Sequence, residues 1–198
     1  MITGVIDGPL SGGVPKAIEL YALTTIADLS MYGIGSANNG EGTDGEEFTL
    51  SGSATMGQFL YVASESTGFS SFFGFAPDFT SGAAAINGDD AIELFQSGSV
   101  IDTFGEINVD GTGEPWEYLD GWAYRKSGTS AGAFVLADWT FSGPNALDGE
   151  STNGAASTPF PIGTFTTTGS NPTPTSTPTS SPTLGPPLEV TIMEIQAK

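Results

Sequence analysis

Short runs of β-branched and aromatic residues alternate with clusters of Gly, Asn and Ser along most of the chain. Eight of these runs read as strands: Ile2–Ile6, Lys16–Ala22, Glu47–Leu50, Gln58–Ala63, Asp90–Phe95, Ser99–Phe104, Gly121–Lys126 and Ile162–Thr166. Ser11-Gly12-Gly13, Asn38-Asn39-Gly40 and Asn87-Gly88-Asp89 separate them as turns. Asp90–Phe95 and Ser99–Phe104, joined through Gln96-Ser97-Gly98, form the strongest predicted hairpin. One helix is predicted, over Ser66–Phe75, where Phe69, Phe72 and Phe73 stand on one face and Ser66 is placed to cap the start. The tetrapeptide Ala-Ile-Glu-Leu occurs at 17–20 and again at 91–94. In each copy Ile and Leu share one face of a strand, while Ala, Glu and the following aromatic share the other. Glu19 and Glu93 therefore need solvent or a partner, and Lys16 and Arg125 are among the few cations on offer.

The pattern changes abruptly near the end. From Thr167 to Pro187 the chain reads TTGSNPTPTSTPTSSPTLGPP, without charge and with almost nothing apolar. Such a segment cannot bury a core. It favours extended, polyproline-like backbone and, at ~3.1 Å per residue, reaches on the order of 60 Å. Linkers of this composition separate modules of exported proteins and invite O-glycosylation. Beyond it, Leu188–Ile195 alternates again as a single strand, which cannot fold alone. The expected organisation is a domain over 1–166, a linker over 167–187, and the first strand of a truncated downstream domain over 188–198.

Composition sharpens the chemistry. Among 198 residues there are 23 acidic and four basic ones, a formal charge of −19. A field of that sign repels phosphate backbones, so direct nucleic-acid binding by this domain is disfavoured. It either keeps an exported protein soluble or includes a calcium site. No cysteine is present, which excludes disulfides and thiolate chemistry, and no histidine, which removes the commonest general base. No signal peptide or membrane span is readable within these residues, so the export signal is expected upstream.

Several pieces then resemble a bacterial lamin-tail domain. They are Lys16-Ala-Ile-Glu-Leu-Tyr21, Asn87-Gly-Asp-Asp-Ala-Ile-Glu-Leu-Phe95, Val100-Ile-Asp-Thr-Phe-Gly105 and Gly121-Trp-Ala-Tyr-Arg-Lys126, followed by Phe134 and Asp138-Trp139. The resemblance covers roughly Ile2 to Phe165. It implies an all-β, immunoglobulin-like β-sandwich, here with loop insertions around Ser64–Ala85 and Val109–Leu119. It also implies a non-catalytic accessory module at the cell surface or outside the cell, beside a downstream nuclease or phosphatase domain in the same polypeptide. Val190–Gln196 is similar to the opening strand of the domain preceding the catalytic module of bacterial extracellular endonuclease/exonuclease/phosphatase proteins. Lamin-specific partners are not implied, and no catalytic residue is inherited.

Four motifs remain as candidate chemistry. Gly128-Thr-Ser-Ala-Gly132 has the spacing of a nucleophile elbow but lacks the histidine the elbow needs. Paired carboxylates could in principle hydrolyse glycosides, with no pair marked out by position. The segment from Glu106 to Glu117 places Glu106, Asn108, Asp110, Glu114 and Glu117 at calcium-loop spacing, with Gly111 at the turning position. Pro115 and a Glu in the first position depart from that pattern. Calcium there would suit a binding module for polysaccharide or a cell surface. Finally, Trp116, Tyr118, Trp122, Tyr124 and Trp139 cluster in the second half, either as a polymer-binding platform or as core.

Overall fold

A computed structural model describes residues 1–168; the remainder of the linker and the strand expected at 188–195 lie outside the described residues. The strands are β1 Ile2–Leu10, β2 Val14–Tyr21, β3 Tyr32–Ala37, β4 Phe48–Thr49, β5 Phe59–Ala63, β6 Phe79–Thr80, β7 Ala91–Gln96, β8 Ser99–Phe104, β9 Trp122–Arg125 and β10 Trp139–Phe141. Among the described residues the one α-helix, α1, spans Thr67–Phe73. Six strands form a sheet in the order β10-β9-β1-β2-β5-β6, and four form a second in the order β4-β3-β7-β8. All neighbours are antiparallel except β5 and β6. The chain is an all-β two-sheet sandwich, as its pattern predicts.

Period-two alternation decides which residues meet between the sheets. Ile18 and Leu20 of β2 pair with Val62 and Leu60 of β5, and all four enter the inter-sheet core. Facing them are Ile34 of β3, Ile92 and Leu94 of β7 and Phe104 of β8. A register shift between Ile2 and Gly4 lets both Ile2 and Val5 join this core. The two Ala-Ile-Glu-Leu copies lie in β2 and β7, with Ile and Leu inward in each. Ser97 and Gly98 both take positive φ, which is the twist a two-residue hairpin requires between β7 and β8.

A second core lies on the outer face of the six-stranded sheet. Ile6, Ala17, Ala63 and Tyr124 are covered there by Phe69 and Phe72 of α1 and by Phe160 and Phe165 from the C-terminal segment. Gly4 is required beneath it, because a Cβ would collide with the Phe160 and Tyr124 rings. Within this segment, Phe160–Thr166, a strand is expected over Ile162–Thr166, and none forms. Thr164 N–H turns back onto the Pro161 carbonyl at 3.2 Å, and Gly163 sits at φ 68°. The segment is a strap bonded to side chains instead of to a ladder.

The predicted helix is present but capped differently. Ser66 makes no side-chain bond to the helix start; the Glu65 carboxylate accepts from Gly68 N–H (2.8 Å) and Phe69 N–H (3.2 Å). A carboxylate has two oxygens to offer two orphan amides, which one hydroxyl cannot match. The expected insertions also do more than decorate. Ser64–Ala85 supplies α1 and β6, and Val109–Leu119 sends Trp116 and Tyr118 into the inter-sheet core.

Candidate functional site

Three of the charged residues that the sequence singles out, Lys16, Glu19 and Arg125, close on the chain's own groups. Arg125 of β9 donates from Nη2 to Asp102 Oδ1 at 2.7 Å, with both side chains almost wholly buried. The same guanidinium donates to the Ile2 carbonyl (2.6 Å) and the Ser130 carbonyl (2.8 Å). Asp102 of β8 accepts in addition from Ile2 N–H (2.7 Å) and Gly132 N–H (2.9 Å). Burial pulls the Arg125 pKa below its ordinary value, and the Asp102 charge opposes that pull. The pair spans the two sheets and pins the 128–132 loop to both. The elbow-like motif is thus a loop held by its backbone, with the Ser130 carbonyl and the Gly132 amide as its contacts.

Glu19 takes neither of the cations expected for it. Its carboxylate, 1 % exposed, lies on the outer face of the six-stranded sheet and accepts from Thr3 Oγ1 and Tyr124 Oη, each at 2.7 Å, and from Gly163 N–H at 2.7 Å. Burial pushes this carboxyl up to about 7, with its donors Gly163, Tyr124 and Thr3 pulling the other way. Lys16 bonds instead to Asp7 (2.7 Å), to the Ile86 carbonyl (2.5 Å) and to Asn87 Oδ1 (3.0 Å). The reason is positional: Lys16 and Asp7 are cross-strand partners, whereas Glu19 is three residues along β2 under the strap.

The Asn87–Asp90 turn anchors the acidic loop. Asp90 accepts from Asn39 N–H and Asn87 N–H, both at 2.9 Å, and its burial raises its pKa. Tyr118 Oη donates to the Asp90 carbonyl at 3.0 Å, and Thr112 Oγ1 to Asp89 Oδ2 at 3.1 Å. Within the loop, Asp110 Oδ1 accepts from Thr112 N–H (2.9 Å), and Glu117 Oε2 from Gly113 N–H (3.0 Å). Glu106, Asp110, Glu114 and Glu117 do not converge: among the described residues no group of three or more acidic side chains could hold a metal ion. Asn108 and Glu106 share a surface depression with Phe134.

The aromatic cluster is core. Trp116, Tyr118 and Trp139 pack around Phe104 between the sheets, while Trp122 and Tyr124 lie on the opposite face beneath Phe160. None of the five is exposed, and the indole N–H groups of Trp116 and Trp139 are buried without a hydrogen-bond partner. Arg125 stacks over Trp139 at 4.6 Å, so even the cation–π contact is internal.

What opens to solvent is a groove that sequence reasoning misses. At the end of the sandwich where β2 and β7 finish and β3 begins, the sheets part around a space of about 260 Å³. Leu20, Leu29, Leu50, Leu60, Leu94 and Ile101 line it, and Thr24, Tyr32 and Gln96 stand among the lining residues as polar groups. No sequence signal marks it, because its walls come from residues scattered over the first half of the chain.

The chain was compared with models of known families, with curated proteins and with solved structures, and nothing in any of the three matches it.

Proposed function

We propose that residues 1–166 are a non-catalytic accessory module of an exported multidomain protein, of the lamin-tail-like, immunoglobulin-like kind. Its companion would be a downstream nuclease or phosphatase domain reached through the Thr/Pro-rich linker. One observation carries the reading. Of the five buried carboxylates among the described residues, four (Asp7, Glu19, Asp90 and Asp102) are bonded within the fold, to backbone amides, hydroxyls or a cation. Groups that could do acid–base chemistry are thereby committed to holding strands and loops in place. The Gly128–Gly132 loop offers its backbone to that network, and its serine has no histidine to activate it.

The test is an assay of the purified 198-residue chain against phosphodiester, phosphomonoester and ester substrates. The expected result is turnover no faster than buffer. Hydrolysis that disappears on Ser130→Ala, or on replacing one carboxylate, overturns the proposal.

A further inference from the structure

We propose that the groove at the open end of the sandwich binds an unbranched alkyl chain carrying an uncharged polar head. The inference goes beyond the accessory role and does not depend on it. Its first support is the lining, in which leucines and an isoleucine from both sheets face one another across a gap. Leu20, Leu29, Leu50, Leu60 and Leu94 are themselves only 2–5 % exposed, so what drives an occupant in is the burial of its own apolar surface between them. Leu23 at the mouth is 43 % exposed, so an occupant would cover it too.

Size selects the occupant. An apolar cavity of about 150 Å³ holds benzene, with its six carbons, so the same scaling gives this groove on the order of ten carbons. A flexible chain fits a slot between two sheets better than a rigid ring system does, because both walls are rows of side chains running along strands.

Polarity selects the head group. Thr24, Gln96 and Tyr32 bring polar atoms to an otherwise apolar lining, and Gln96 Nε2 already donates to Tyr32 Oη at 3.0 Å. This is the composition of a small-molecule site, apolar walls with a few hydrogen-bonding groups. The residues lining the groove carry no charged side chain, and the Met1 amino group among them donates to the Tyr21 carbonyl at 2.9 Å. The chain's formal charge of −19 disfavours an anionic head through its long-range field. A carboxylate of the same length should therefore bind more weakly than the alcohol.

The experiment titrates the full chain with straight-chain alcohols from hexanol to tetradecanol, below their aggregation limits, by calorimetry and thermal melting. Expected is saturable binding that tightens by about fourfold per added methylene and stops improving near roughly ten carbons. Decanoate is expected to bind more weakly than decanol, with the difference shrinking in high salt. Ala22→Phe directs a ring into the groove from a lining position and should abolish binding while the protein still melts cooperatively. If that variant does not fold, the chain-length limit of the unmodified protein carries the test. Affinity that climbs through tetradecanol without a break, decanoate binding as tightly as decanol, no saturable binding at all, or undiminished binding by folded Ala22→Phe each overturns the proposal.

Discussion

The Tyr124 hydroxyl donates to Glu19 Oε1 at 2.7 Å and accepts the backbone N–H groups of both Thr164 and Phe165 at 3.0 Å. One phenol therefore joins β9, β2 and the strap, in a position that water does not reach. Removing it should release the strap before it disturbs the sheets. In Tyr124→Phe the Phe165 N–H loses its partner, while Thr164 N–H keeps the Pro161 carbonyl and Glu19 Oε1 keeps Thr3, at a cost of about 1–3 kcal/mol. Amide exchange should accelerate at Gly163–Thr166 well before it accelerates in β1 or β2. Uniform acceleration across the domain would show that the strap does not open by itself.

Glu19 gives the domain a pH dependence of definite sign. Its carboxyl is raised in the fold from 4.5 to about 7, so between those values the folded chain holds a proton that the unfolded chain has released. Its contribution is fully present below about 4.5 and is lost as pH rises through about 7, on the order of 3 kcal/mol in all. The Met1 amino group, lowered by burial to about 6, adds the opposite slope between there and 8. Stability curves of the wild type and Glu19→Gln, taken by denaturant melts from pH 4 to 9, isolate the carboxylate as their difference. That difference should change across pH 4.5–7 and be flat above. A constant offset would mean that Glu19 does not titrate in this range.

The Asp102–Arg125 pair should behave as a coupled unit. Asp102→Ala leaves a buried guanidinium without its counter-charge, held only by the Ile2 and Ser130 carbonyls, and is expected to cost about 3–5 kcal/mol in urea melts. Arg125→Met should cost a comparable amount, and the double variant less than the sum by about 1–3 kcal/mol. The double variant will not recover fully, because the Ile2 and Gly132 amides and the Ser130 carbonyl lose their partners in either case. Strict additivity would contradict the network.

Gly88 and Gly98 differ in a way that substitution can read. Both have positive φ, at 86° and 75°, but a Cβ at Gly98 meets open space whereas one at Gly88 collides with the Leu119 backbone. Gly98→Ala should cost about 1–2 kcal/mol for the left-handed conformation alone. Gly88→Ala adds overpacking against the acidic loop and should cost roughly 3–4 kcal/mol. Equal losses would mean that Leu119 gives way freely.

Calcium can be tested by melting the protein in millimolar calcium and in chelator. Asp110 and Glu117 already cap amides of their own loop, so the two melts should coincide. A stabilisation that disappears in Asp110→Ala would place an ion in the loop after all.

The strands carrying Ala-Ile-Glu-Leu were legible because their alternation survives on both faces. The β3 strand was not. Gly33 and Gly35 punctuate it like a turn, yet they are there because Glu46 and Gly45 lie directly against that strand. The strap deceived in the other direction: Ile162–Thr166 has a strand's composition, but its amides face Glu19 and Tyr124 side chains. Asp102 and Arg125 stood inside recognisable segments without any sign of pairing, since nothing local in a sequence records a contact between sheets. The groove was invisible for the same reason, being a gap between elements and not a property of any one of them.

The strap also decides how the domain would take a mechanical load. A pull at Thr168 reaches first Thr166, whose carbonyl accepts from Gly128 N–H and whose N–H donates to Ser127 Oγ, then Phe165 and Thr164 on Tyr124, then Gly163 on Glu19. These attachments are met one after another, so they peel singly and do not resist together as a sheared ladder would. Releasing Phe160–Thr166 pays out roughly 20 Å of chain before tension arrives at the Phe160 ring lodged over Gly4. The strap should thus give up its length before the sandwich behind it opens.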